Sequence, residues 1–73
     1  MHARDVFKAA ILANATAIIA AHNHPSWDLT PSEADRSVTK RLAEAGSLLG
    51  IPLLDHLIVT GTGFYSLQEV GLL

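Results

Sequence analysis

The segment between Pro31 and Pro52 constrains this chain most, because it reads as a helix that must end abruptly. Ala34, Val38, Leu42, Ala45 and Leu49 recur at helical spacing and make one apolar stripe. Thr30 is placed as the N-cap, Pro31 takes the first helical position, and Glu33 can bond back to the Thr30 amide. Gly50 follows as a left-handed cap and Pro52 prevents continuation, so the helix ends near Leu49. A helix with one apolar stripe has to bury it against another layer.

The flanking sequence supplies that layer. Thr16 to Ala21 is a short apolar run suited to a buried strand. It leads into His22-Asn23-His24-Pro25, where proline disfavours helix in the residue before it and ends the strand near His24. Upstream, Val6, Phe7, Ala10 and Ile11 predict a helix over Arg4–Asn14, entered abruptly, as though midway through a larger unit. Leu53 to Thr60 is a second strand, Gly61-Thr62-Gly63 a turn, and Phe64 to Leu67 a third strand paired as a hairpin. Gln68 to Leu73 is a short helical turn or a frayed tail. The order helix-strand-helix-strand-strand predicts one α/β unit over residues 1–73, with helices covering a sheet of few strands.

A chain of 73 residues without cysteine can have neither disulfides nor thiolate zinc sites. At this size, a metal or a partner is the remaining source of extra stability. The hydrophobic fraction of 49% argues for a folded chain. The net charge of −2 offers no general attraction to nucleic acid or anionic membrane. Arg36, Lys40 and Arg41 are flanked by Glu33 and Glu44 and read as a solvated helix face. No apolar run approaches the ~20 residues that span a bilayer, and the start has no apolar signal core. The expected compartment is the cytoplasm.

The chemistry is concentrated around His22. Residues i and i+2 on a strand point to the same face, so His22 and His24 project side by side from its end. Ser32 and Asp35 lie three apart near the start of the next helix and share a face. The helix N-terminus favours an ionised carboxylate there. A short loop can fold that start back over the strand end, so that His22, His24 and Asp35 meet. Three protein ligands that leave a fourth position open are the pattern of a catalytic zinc site, and Ser32 would stand close enough to donate to a developing oxyanion. A His-x-His pair alone is a weak signal; the proline, the helix start and the Ser/Asp pair strengthen it.

The run His-Asn-His-Pro, six further residues, Ser, two residues, Asp coincides with the JAMM metal motif of MPN-type metalloproteases. The stretches His22–Ser26, Thr30–Asp35, Leu48–Ile51 and Leu54–Val59, with the opening His2–Phe7, resemble the RadC branch of that superfamily across nearly the whole chain. The resemblance implies a cytidine-deaminase-like α/β/α fold, zinc held by His22, His24 and Asp35 with Ser32 assisting, and hydrolysis of an amide or isopeptide bond in a peptide substrate. The family name also carries an association with DNA repair.

Two departures from the family pattern shape the expectation. The family's general base is a glutamate on a strand upstream of the first helix, and no acidic residue precedes Asp5. Glu33 is not a substitute, since its capping role uses it and it lies on the wrong side of the motif. The expectation is a partial domain that binds metal but turns over little alone, and that self-associates through the sheet edge the missing strand would cover. Trp27 stands where the family has glycine, and it either narrows or lines the cleft or packs down. Two other functions compete: a metal-free interaction scaffold of the same fold, and a DNA-associated factor, which the charge does not favour. His56 beside Asp55 either orients a ligand or forms a local polar pair, with structure favoured. Asn23, Ser26 and Asp28 read as backbone and turn residues, His2 as exposed, and Phe64 and Tyr65 as core or hairpin packing.

Overall fold

In the computed structural model, which describes residues 1–24 and 30–73, the chain forms helix α1 (Ala3–Leu12), strand β1 (Ile18–Asn23), helix α2 (Glu33–Leu49) and strands β2 (Leu53–Thr60) and β3 (Gly63–Ser66). The sheet order is β1-β2-β3, with β1 parallel to β2 and β3 antiparallel to it. This is the mixed α/β unit that the alternation of elements predicts. The parallel pair requires a crossover, and α2 provides it. No helix of the described residues is long and apolar enough to cross a membrane.

The core is one cluster of Phe7, Ala10, Ala20, Leu42, Ile51 and Leu53. It joins α1, α2 and the inner face of the sheet. Asn14 takes φ 56° just past α1, a conformation that asparagine tolerates, which agrees with its reading as a stop. Gly50 caps α2 at φ 71°, as expected.

Two expectations about α2 are corrected. Its N-cap is Ser32 rather than Thr30, and Asp35 rather than Glu33 closes the capping box. Ser32 Oγ accepts from the Asp35 amide at 3.1 Å, and Asp35 Oδ2 accepts from the Ser32 amide at 2.8 Å. Thr-x-x-Glu and Ser-x-x-Asp both fit the box pattern; the later one prevails because it also aims Asp35 at the two histidines. Pro31 then lies before the cap, where it is buried. The buried stripe is also rotated. Leu42 is at its centre, but Thr39 and Gly46 flank it, while Ala34 and Leu49 are exposed. Gly46 is required here, because a Cβ would run into the backbone oxygen of Ile51 and stand 3.2 Å from Phe7 Cζ.

A bulge in β2 decides what the sheet presents to α2. Ile18 pairs with Leu53 but Ile19 pairs with Asp55, so Leu54 is the extra residue. Before the bulge the odd-numbered Leu53 faces inward. Beyond it, His56 and Ile58 are buried beside Ala20 and His22, and Asp55 and Leu57 take the other face. Strict alternation from Leu53 would have turned His56 outward.

The hairpin lies one residue earlier than expected, with Gly63 already in β3 and Leu67 beyond it. Phe64 is 62% exposed, so its reading as packing is corrected; on the outer face of a hairpin that no helix of the described residues covers, it meets solvent. Leu67 supplies the burial instead, together with Ser66. Asp55 anchors this end: it accepts from the Ser66 hydroxyl at 2.6 Å, the Gln68 amide at 3.1 Å and the His56 amide at 2.7 Å.

Candidate metal centre

His22 and His24 leave the C-terminal end of β1 on the same face, and Asp35 reaches them from the first turn of α2. His22 Nε2 lies 2.9 Å from Asp35 Oδ1, and His24 Nε2 lies 2.9 Å from Asp35 Oδ2. One donor atom from each of the three residues fits within 4.8 Å of the others, so this group could hold a metal ion. All three side chains are half-buried. A cavity of about 180 Å³ opens beside them, lined by Met1, His22, Ala34, Asp35, Val38 and His56.

Burial pushes the Asp35 carboxyl up, but hydrogen bonds from Ser32 and His24 outweigh it. Its pKa lies below the usual carboxylate value, so Asp35 is ionised at neutral pH. An ionised carboxylate only accepts, so the proton of the His24 contact sits on His24 Nε2. The His22 contact is different. It is as short, yet Nε2 of His22 is buried and makes no hydrogen bond of acceptable direction among the described residues. Buried polar atoms are nearly always paired. An unpaired ring nitrogen next to a carboxylate oxygen, with a second imidazole alongside, is a donor set that suits a divalent cation. The residues therefore fit a metal.

His56 lies beneath the centre at 1% exposure. Its Nε2 is 2.9 Å from His22 Nδ1 and its Nδ1 is 2.6 Å from Thr39 Oγ1. Burial first, and then the neighbouring His22, hold this imidazole below the usual histidine range, with Asp35 and Asp55 pulling part of the way back. The adjacent Asp55 bonds the His56 backbone amide, and its carboxylate is turned to Ser66 and Gln68. The two side chains do not form the local polar pair; His56 is spent on His22. Sequence reasoning missed Thr39 altogether. Its position four residues after Asp35, on the same helical face, was the available signal.

Ser32 is exposed and caps α2. His2 is exposed, as expected, Asn23 is exposed as well, and Arg36, Lys40 and Arg41 form a solvated face. The readings of Pro25, Ser26, Trp27 and Asp28 fall outside the described residues.

The profile of the RadC-like JAB domain matches residues 1–72. The chain belongs to the RadC-like JAB domain family. It is 54% identical over 71 residues to a UPF0758 protein of Thermotoga maritima, covering 97% of this chain and 32% of that one. A UPF0758 protein of Symbiobacterium thermophilum is 55% identical over all 73 residues, and 31% of its length is covered. One from a Geobacillus species is 58% identical over 71 residues, covering 97% of this chain and 31% of that protein. The RadC-like chain thus spans about a third of the length of the curated relatives it matches.

Proposed function

We propose that this chain carries the metal-binding part of a zinc-dependent hydrolase that acts on amide or isopeptide bonds. The observation that carries the reading is the convergence of His22, His24 and Asp35, on two separate elements, within reach of one ion. The family supports it.

His22, His24 and Asp35 would hold the ion. When bound, zinc supplies Lewis acidity and eases the ionisation of water near neutral pH. Asp35 contributes negative charge that is already ionised and is oriented by the Ser32 amide. The Ser32 hydroxyl accepts from the Asp35 amide and keeps its own proton for donation, which suits a developing oxyanion on the substrate. The cavity beside His22 and Asp35 is the approach for the scissile group. Proton transfer to and from substrate falls to a glutamate base outside these residues, so we expect little turnover from this chain alone.

The proposal extends to architecture. A cytidine-deaminase-like α/β/α layering follows if further elements cover the outer face of the sheet. β1 has β2 on one side and no strand of the described residues on the other, so its free edge is a template for a further strand or a second copy. Sedimentation over a range of concentrations would test the second copy, and a monomer throughout would count against it.

The direct test is metal content. Protein purified with zinc present should retain close to one equivalent, and Asp35→Ala should not. A full-length relative should cleave an isopeptide substrate and lose that activity to a chelator. Zinc at the level of non-specific carry-over in the wild-type chain would end the reading.

A further inference from the structure

Thr39 makes two short contacts with one hydroxyl. Its Oγ1 lies 2.7 Å from the Asp35 carbonyl oxygen and 2.6 Å from Nδ1 of His56. A carbonyl oxygen only accepts, so the single hydroxyl proton goes to Asp35. Oγ1 must then accept from His56, which places the His56 proton on Nδ1. A ring buried this deeply stays neutral, which leaves its Nε2 an acceptor. His22 Nδ1, 2.9 Å away, is therefore the donor in that contact. With a single ring proton placed on Nδ1 by this contact, His22 presents Nε2 as a lone pair. That Nε2 is buried, lies 2.9 Å from Asp35 Oδ1 and makes no hydrogen bond among the described residues.

We infer that Thr39 and His56 are positioning residues that lock His22 into the tautomer with Nε2 free, so that one ligand of the metal centre is set before any ion arrives. The inference rests on the metal-binding reading above. The backbone carbonyl of Asp35 starts the relay, so one residue both faces the ion and orders the chain of protons behind it. Thr39 is one turn further along α2, His56 is brought inward by the bulge in β2, and His22 completes the run at the end of β1. In the metal-free chain His24 Nε2 carries a proton shared with Asp35 Oδ2. That proton has to leave Nε2 before the atom can ligate.

The test reads protons directly. Long-range nitrogen–proton NMR of the metal-free chain at neutral pH should show His22 and His56 protonated at Nδ1 and His24 at Nε2. Zinc affinity, measured by competition with a chromophoric chelator, should fall ~10–100-fold in Thr39→Val. Valine keeps the volume and removes the hydroxyl. Thr39→Ser keeps the hydroxyl and should bind within about threefold of wild type, with the His22 tautomer unchanged. A His22 protonated at Nε2 in the wild type, or full zinc affinity in Thr39→Val, would overturn the relay while leaving the metal site standing. Absence of zinc binding by the wild type would instead overturn the functional reading, and with it the purpose assigned to the relay.

Discussion

His22 Nδ1 lies 2.9 Å from Nε2 of His56, and the two rings meet edge-on with centroids 4.9 Å apart. The contact fixes the outer ring by means of the inner one, which is buried and cannot move without opening the sheet–helix interface. Replacing His56 with leucine would keep most of the volume but leave His22 Nδ1–H without its partner. We expect a loss of about 1–3 kcal/mol, the cost of one unsatisfied polar group, read as a lower midpoint in urea.

Zinc should stabilise the wild-type chain. A ligand present at about 100 times its dissociation constant adds about 2.7 kcal/mol to a fold it binds selectively. The expected outcome is a rise in melting temperature with zinc that is absent in Asp35→Ala. Equal shifts in both proteins would show that the ion acts elsewhere.

The helix start offers a clean comparison. Ser32→Ala removes the side-chain acceptor for the Asp35 amide and should cost about 1 kcal/mol. Glu33 is exposed and outside the capping box, so Glu33→Ala should change stability by less than about 0.5 kcal/mol. Denaturant midpoints for the two variants decide it; the reverse order would restore Thr30 as the cap.

Gly46→Ala tests the packing of α2 against the following loop. Alanine gains about 1 kcal/mol in helix propensity. Its Cβ, however, meets the Ile51 backbone oxygen, which cannot swing aside like a side chain. We expect the clash to win, with a net loss of about 1–3 kcal/mol in thermal or urea unfolding.

Acid should act through Asp55. Burial raises its pKa, but the Ser66 hydroxyl and the Gln68 and His56 amides outweigh that and hold it below the usual carboxylate value. The folded state thus binds this proton less readily than the unfolded chain. The stabilisation is complete above the unfolded pKa and is lost as pH falls through the folded one, on the acid side of the usual carboxylate value. Asp35 contributes in the same window and with the same sign. Asp55→Asn should be less stable than wild type at pH 7 and lose less on acidification. Parallel curves for the two proteins would exclude Asp55 as a source of the acid sensitivity.

Much of this molecule can be read from its residues. The elements follow from apolar periodicity and from Pro25, Gly50 and Pro52, and the three candidate ligands follow from strand and helix geometry. Three features escape such reading for physical reasons. Two overlapping capping boxes, Thr30 to Glu33 and Ser32 to Asp35, are locally equivalent, and only contact with His22 and His24 separates them. Helical spacing counts apolar side chains, so it overlooks an inward Thr39 and Gly46 whose value lies in a hydroxyl and in an absent methyl. The parity of β2 is set by pairing with a strand far away in sequence, which no local pattern encodes.

That parity has a consequence for how such a chain can change. Along β2, side chains can be exchanged one at a time. Pairing Leu54 into the ladder, in place of leaving it out, would instead exchange the two faces for every position on one side of it. Asp55 would then be driven into the interior and His56 turned out to water, abolishing an anchor and a relay in one event. The irregularity of this strand is therefore held more tightly than its spelling.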